Sequence, residues 1–391
     1  VRGASIAAVV AVLVVAPAAA GAGASPTATL RNTLRPLILQ SLHQNAVPGA
    51  VVLVQTPDAR YLEAFGTRVA GKHVPMRVGD EFRAGSNTKT MTGTAILQLV
   101  QRGKLRLSDP VSKYLSGVPN GRHITIADLM EMRSGLDTYS NLLWFNRTLD
   151  RHPTTVWDPA RLVRVGLSLP PVGPPVTTFF YSNTNTLMLG LIVEKLTHHS
   201  LRWVFEHRIF RPLHLHHTEL PRLTSNTIPG PHPQGYLFGT NVSTLEDPAL
   251  PPAEQKLAVE GKLLPNDVTN ENPGWAWSAG SVISTASDLA VYVKKLVAGG
   301  LIDRRLQRIR LASIRSTDPN GAPTAAQYGL AIAKFGPMIG HDGSIPGYQS
   351  FMGYDPDRKI TVIVLCNLQT APDGTSPAND ITMKIISALY S

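Results

Sequence analysis

Strand-forming segments lie at the two ends of this chain, with a long helical stretch between them. Near the start, Leu30, Leu34, Leu37, Ile38 and Leu42 recur at helical spacing, so residues 29–44 are expected to form an amphipathic helix, kinked or delayed by Pro36. Pro48-Gly49 stops it, and residues 50–54 and 61–65, separated by Thr56-Pro57-Asp58-Ala59, predict a β-hairpin. The last third returns to strands at 328–335, 348–354 and 360–366, followed by a closing helix at 381–390. Residues up to about 270 carry helical segments and Pro-rich loops such as 169–175. Strands supplied by both termini close best into one antiparallel sheet, leaving the helical middle as an insertion. The expected fold is α+β: an antiparallel sheet built from both chain ends and flanked by helices, with a mostly helical inserted lobe. Its α/β lobe would take about 29–85 and 275–391, and its helical lobe about 86–274.

The chain of 391 residues is 43% hydrophobic, enough for a sizeable core, and its 32 Gly and 31 Pro are too few for a low-complexity polymer. A single cysteine, Cys366, excludes an internal disulfide framework and leaves no zinc finger or ribbon. The net charge of +10 fits association with anionic partners such as a cell-wall polymer. The basic residues are scattered, with no Lys/Arg run interleaved with aromatics, so no nucleic-acid partner is expected. His214, His216 and His217 share a loop with only Glu219 beside them, too few ligands for a functional metal site.

At the N-terminus, Arg2 precedes an apolar run over 4–16 and then small residues, with A-x-A sites ending at Ala20, Ala22 and Ala24. That layout predicts a secretory signal over 1–24 cut near Ala24, with a membrane anchor as the alternative. No cysteine follows the run, so a lipoprotein anchor has no attachment point.

Three short motifs can carry chemistry. In Gly85-Ser86-Asn87-Thr88-Lys89, Ser86 opens a helix spanning 88–100 and Lys89 lies one turn on. A serine hydroxyl needs a base, and a desolvated lysine can be neutral enough to serve. The bland reading is a Ser cap and a solvated Lys. Tyr181-Ser182-Asn183 offers a phenol that can relay a proton and an amide that can hold a carbonyl, or equally a loop tyrosine and a capping asparagine. Gly340-His341-Asp342-Gly343-Ser344 lies between strand-like segments, where Gly343 leaves a strand edge unobstructed and His341 offers a donor or cation, or is a satisfied turn histidine.

Taken in order, S-x-x-K, Y-x-N and H-x-G resemble the serine β-lactamase and penicillin-binding superfamily, most closely the secreted D-alanyl-D-alanine carboxypeptidase and class C β-lactamase family. Arg133-Ser134-Gly135-Leu136, Ser278-Ala279-Gly280 and Gly343-Ser344-Ile345-Pro346-Gly347-Tyr348 extend the likeness from about Pro48 to the C-terminus. The resemblance implies that Ser86 is acylated, that Lys89 and Tyr181 share acid and base work, and that Asn183 orients the substrate amide. By the same likeness His341 completes the polar network, Gly343 leaves room for substrate, and the N–H groups of Ser86 and Ser344 form the oxyanion hole. Trp275 and Trp144 read as aromatic walls of the cleft or as core tryptophans.

No cofactor is implied. The implied partners are small molecules or peptidoglycan-derived peptides, with β-lactams among them. The implied activity is carboxypeptidase-like or β-lactam-hydrolysing. The alternatives are an esterase or D-amino-acid amidase or aminopeptidase on the same machinery, and a non-catalytic penicillin-binding sensor. Two departures work against substrates ending in a free carboxylate: Ala333 stands where the carboxypeptidases carry an arginine after Tyr328-Gly329-Leu330, and Asp342 stands where they carry Thr or Ser. Met132 replaces a frequent histidine before Arg133, which we read as packing.

Overall fold

The structure is a computed structural model that describes residues 25–318 and 326–391; the expected signal at 1–24 falls outside them. Helix α1 (Pro26–Gln44) starts where the Ser25 side chain accepts from Ala28 N, three residues earlier than the periodicity predicts, and it carries Pro36 in its interior. The predicted hairpin follows as β1 (Gly49–Gln55) and β2 (Arg60–Gly66). Helices α2 (Thr88–Gln101), α3 (Asn183–Thr197) and α4 (Ala286–Ala298) frame the middle of the chain. The last third supplies β3 (Arg315–Ser316), β4 (Gln327–Gly329), β5 (Ile332–Phe335), β6 (Met338–Ile345), β7 (Tyr348–Asp355), β8 (Ile360–Cys366) and α5 (Pro377–Tyr390).

One eight-stranded sheet runs β2-β1-β8-β7-β6-β5-β4-β3, antiparallel throughout. The first hairpin docks on the last strand, with Val52 opposite both Val364 and Glu63. The expected sheet from both chain ends is therefore what forms. Residues along β1 alternate between two cores. Ala50, Val52 and Val54 meet α1 and α5, while Val51 and Leu53 meet the core that includes α2 and α4. Burial on both faces explains why β1 and β8 read as unbroken apolar runs. Cys366 faces the terminal helices, fully buried, and desolvation pushes its thiol well above the ordinary range.

Two sequence expectations need correction. Residues 328–335 are a hairpin rather than one strand: Gly329 pairs with Ile332 across Leu330-Ala331, and Ala331 takes φ +51° without the Gly or Asn that usually announces such a turn. The third motif sits on β6, not between strands. Gly340, Asp342 and Gly343 have poor strand propensity, and the pairing of His341 with Met352 and of Gly343 with Ser350 on β7 overrides it. Strand β5 pairs with β6 only from Met338 to Gly340, so beyond that point the cleft-side edge of β6 is not covered by β5.

Among the described residues, no helix is long and apolar enough to cross a membrane.

Candidate active site

Ser86 lies in a single 3-10 turn, Gly85–Asn87, that feeds directly into α2. The turn is wedged against β6. Gly85 has φ +53°, and a Cβ there would stand 2.8 Å from Ser344 N; a Cβ on Gly343 would stand 3.0 Å from Ser86 N and collide with Ala84 O. Two glycines thus let the backbones carrying Ser86 and Ser344 pack directly against each other. Asn87 locks the turn by donating to Ala84 O (3.0 Å) and Ser350 Oγ (2.7 Å).

Lys89 is fully buried, and its Nζ meets three oxygens: Ser86 Oγ at 3.0 Å, Asn183 Oδ1 at 2.7 Å and Ala279 O at 3.0 Å. Desolvation pushes its pKa down to about 7, against an opposing pull from Asp342. A neutral amine has two N–H groups and one lone pair. Asn183 Oδ1 and Ala279 O can only accept, so they claim the two N–H groups, and the lone pair is left for the Ser86 hydroxyl to donate to. The geometry therefore leaves the Lys89 lone pair facing the Ser86 hydroxyl.

Asn183 opens α3, and both ends of its amide are committed: Oδ1 to Lys89 and Nδ2 to Ser140 Oγ at 3.0 Å. Its backbone N–H donates to Thr138 Oγ1 at 3.1 Å. The segment leading to Tyr181 is held by the Met132–Gly135 turn, whose carbonyls accept from Val172, Val176 and Phe180 N–H groups. That explains the Arg-Ser-Gly-Leu signature: Ser134 donates to Asn185 Oδ1 at 2.7 Å, and Gly135 (φ +73°) lies where a Cβ would strike Gly173 O.

The Tyr181 ring lies under Lys89 Nζ, 4.7 Å from ring centroid to nitrogen, and edge-on to Tyr328. Enclosure by protein raises its phenol well above the ordinary value, reinforced by Tyr328 and Asp342 and opposed by a hydrogen bond with Ser86. Because 36% of Tyr181 remains exposed, that enclosure is incomplete. His341 is buried, with Nε2 3.2 Å from the Tyr328 hydroxyl and Nδ1 2.6 Å from the Asp342 carbonyl. The carbonyl can only accept, so in the neutral imidazole Nδ1 carries the proton and Nε2 accepts from Tyr328.

Of the sequence-predicted residues, Ser86, Lys89, Tyr181, Asn183, His341, Gly343 and Ser344 come together. Trp275 does not present its ring to that cluster: it is 9% exposed, packed edge-on against Phe145, and contributes its carbonyl to the Tyr139 hydroxyl. Trp144 is 47% exposed at the outer margin of the same aromatic group. Sequence reasoning missed Ser140, Tyr328 and the Ala279 carbonyl as site components. Tyr328 and Ala279 had signals in their Tyr-Gly-Leu and Ser-Ala-Gly contexts, but the loop serine leaves none. His217 faces Glu81 and Asp288, and among the described residues no group of three His, Cys, Asp or Glu side chains could hold a metal ion. Ala333 is buried in a small apolar cluster with Met132 and Tyr328, with Phe179 and Phe335 packed against it.

A family profile described as Beta-lactamase matches residues 34–382. Penicillin-binding protein 4* of Bacillus subtilis (strain 168) is 25% identical over 328 residues, covering 82% of this chain and 68% of that protein. Protein flp of Staphylococcus aureus (strain N315) is 24% identical over 343 residues, covering 85% of this chain but only 62% of its own length. Among solved structures, a D-stereospecific amidohydrolase from Streptomyces sp. superposes with a TM-score of 0.75 at 27% identity, covering 90% of this chain and 97% of that one. The D-amino acid amidase of Ochrobactrum anthropi SV3 superposes with a TM-score of 0.76 at 22% identity, over 93% and 99% of the two chains, which establishes the shared fold.

Proposed function

Because this chain belongs to the beta-lactamase family, we propose that it is a serine hydrolase that cleaves amide or ester bonds of D-aminoacyl compounds through an acyl-enzyme on Ser86. The observation that carries the reading is the fully buried Lys89 amine, tied to two fixed acceptors so that its lone pair meets Ser86 Oγ at 3.0 Å. Lys89 takes the Ser86 proton as Oγ attacks the substrate carbonyl carbon, and the oxyanion is received by the N–H groups of Ser86 and Ser344. Tyr181 stays a phenol at neutral pH, so it serves as a proton carrier. It gives its proton to the departing nitrogen or oxygen and is reprotonated by the Lys89 ammonium, which leaves a Ser86 ester. Water then attacks that ester, its proton leaves through the same groups, and the acid is released.

The preference for D-aminoacyl substrates without a free carboxylate draws on two supports. A 27% identical structure is titled a D-stereospecific amidohydrolase. The position at which a carboxypeptidase would place its arginine is Ala333, walled in by Met132, Tyr328, Phe179 and Phe335. Export by a cleaved 1–24 segment belongs to the same proposal; N-terminal sequencing of protein recovered outside the cell tests it.

The activity is tested with the D- and L-alanine p-nitroanilides, using Ser86→Ala as the control. The proposal expects Ser86-dependent release of p-nitroaniline with the D isomer favoured. Equal rates in Ser86→Ala, or preference for the L isomer, would defeat it. Penicillin supplied in the same assay separates drug turnover from amide turnover.

A further inference from the structure

Resting on that reading, we infer that Asp342 sets the leaving-group specificity of the site: its carboxylate, held by Asn379 of α5 beside the open edge of β6, receives leaving groups that carry a positive charge and repels those that end in a carboxylate. The placement follows from neighbours already described. Tyr181 hands its proton to the leaving group, and the Tyr181 ring packs against His341 at 6.2 Å between centroids. Asp342 is near enough to Lys89, Tyr181 and Tyr328 to act electrostatically on all three, so its carboxylate borders the group that protonates the leaving group. That stretch of β6 lies beyond the last β5 pairing, Gly340 with Ala333.

Among the described residues, no Lys or Arg side chain is paired with the carboxylate. Its contacts are the Asn379 Nδ2 donor, 2.9 Å from Oδ2, and His341 Nδ1, 3.4 Å from Oδ1, and about a third of the Asp342 side chain remains exposed. Enclosure works to neutralise it, but hydrogen bonds from His341 and Asn379 hold Asp342 below the usual carboxylate range, so it is ionised at neutral pH. Lys89 is the nearby amine, and it is buried, committed to Ser86, Asn183 and Ala279.

Neither His341 nor the Ala333 position offers a group to receive an anion. His341 has one ring nitrogen committed to the Asp342 carbonyl and the other to the Tyr328 hydroxyl, and Ala333 is sealed among apolar side chains. A partly exposed, ionised carboxylate with no lysine or arginine paired to it, whose basic neighbour is a histidine with both ring nitrogens engaged, is suited to a cation that arrives with the substrate. The matching class is amides of D-amino acids with amines that bear a second, protonated nitrogen.

Three compounds with the same acyl part separate the possibilities: D-alanyl-D-alanine, its C-terminal amide, and the D-alanine amide of ethylenediamine. Their kcat/KM values are expected to rise in that order. Unit charges about 4 Å apart still interact by about 1 kcal/mol when fully screened by water, so the cationic-to-carboxylate ratio should fall at least about fivefold in Asp342→Asn. Asp342→Glu should recover part of it. Should Asp342→Asn fold poorly, raising the salt concentration on the unaltered protein should shrink the same ratio, since this side chain is open to ions. If none of the three is turned over, they are compared as competitors of Ser86 acylation by p-nitrophenyl acetate, with the same order expected. An unchanged ratio in Asp342→Asn, or a preference for the carboxylate compound, overturns the inference. Hydrolysis that persists in Ser86→Ala overturns instead the acyl-enzyme reading on which it rests.

Discussion

Gly343→Ala is the sharpest test of how the oxyanion site is built. A Cβ at this position would press into Ala84 O, stand 2.6 Å from Ser350 Oγ and 3.0 Å from Ser86 N. None of these neighbours gives way cheaply. Ala84 O and Ser86 N are backbone, and Ser350 Oγ is tied to Ala84 O at 2.8 Å and to Asn87 at 2.7 Å. Relief therefore means separating β6 from the Ser86 turn by some tenths of an ångström, which pulls the Ser86 and Ser344 N–H groups apart. Overpacking of this kind costs about 1–3 kcal/mol of stability. Losing one well-aimed oxyanion donor costs about 3 kcal/mol of transition-state stabilisation, or roughly a hundredfold in kcat. The assay is kcat on a D-alanine p-nitroanilide together with the urea midpoint. Gly79→Ala serves as control, because a Cβ there meets nothing within 4 Å. Loss of kcat by a hundredfold or more with a folded protein is expected. Activity within threefold of the parent, in a variant that has demonstrably folded, would mean that these two backbones do not form the oxyanion site.

Further consequences can be measured alongside. Since Lys89 must be neutral to act and burial sets its pKa at about 7, kcat/KM should climb as pH rises through about 7 and level off above it; a flat profile from pH 5 to 9 contradicts Lys89 as base. Ser86→Ala should abolish turnover while moving the melting temperature by no more than a degree or two, which calorimetry reads. Tyr328→Phe removes the donor to His341 Nε2 and leaves a buried acceptor unpaired, so it should lose about 1–3 kcal/mol in denaturant titration and weaken activity as well. Ile385→Ala on α5, fully buried against the sheet, should cost about 2–5 kcal/mol with kcat/KM unchanged in the folded fraction.

The terminal contributions to the sheet could be read from the chain because β1 and β8 are buried on both faces and spell it out in Val, Ile and Leu. Strand β6 could not. Its residues are chosen for the site, with glycines at 340 and 343 to admit neighbouring backbones, and tertiary pairing with β7 supplies what propensity lacks. The turn at Leu330-Ala331 was hidden for a related reason. Its carbonyl at Ala331 is held by the buried Arg310 guanidinium at 3.2 Å, a support from 21 residues upstream that no local pattern announces. In the site, the side chains gathered around Ser86 left motifs and Ala279 lay in the Ser-Ala-Gly segment, whereas Ser140 reaches Asn183 from a loop whose position depends on the fold. Asp342 stood out in the sequence as an oddity, and its meaning depends on Asn379, 37 residues later on another element.

The central claim is that Ser86 is acylated with Lys89 as its base. It is tested most directly by mixing the protein with a D-alanyl p-nitrophenyl ester, quenching in acid within a second, and mapping the peptides by mass. The account predicts an alanyl adduct on the peptide containing Ser86, formed quickly above pH 7 and slowly below it, and absent in Ser86→Ala. Ester consumption without an adduct at Ser86, or an adduct that forms equally fast at pH 5, would contradict it.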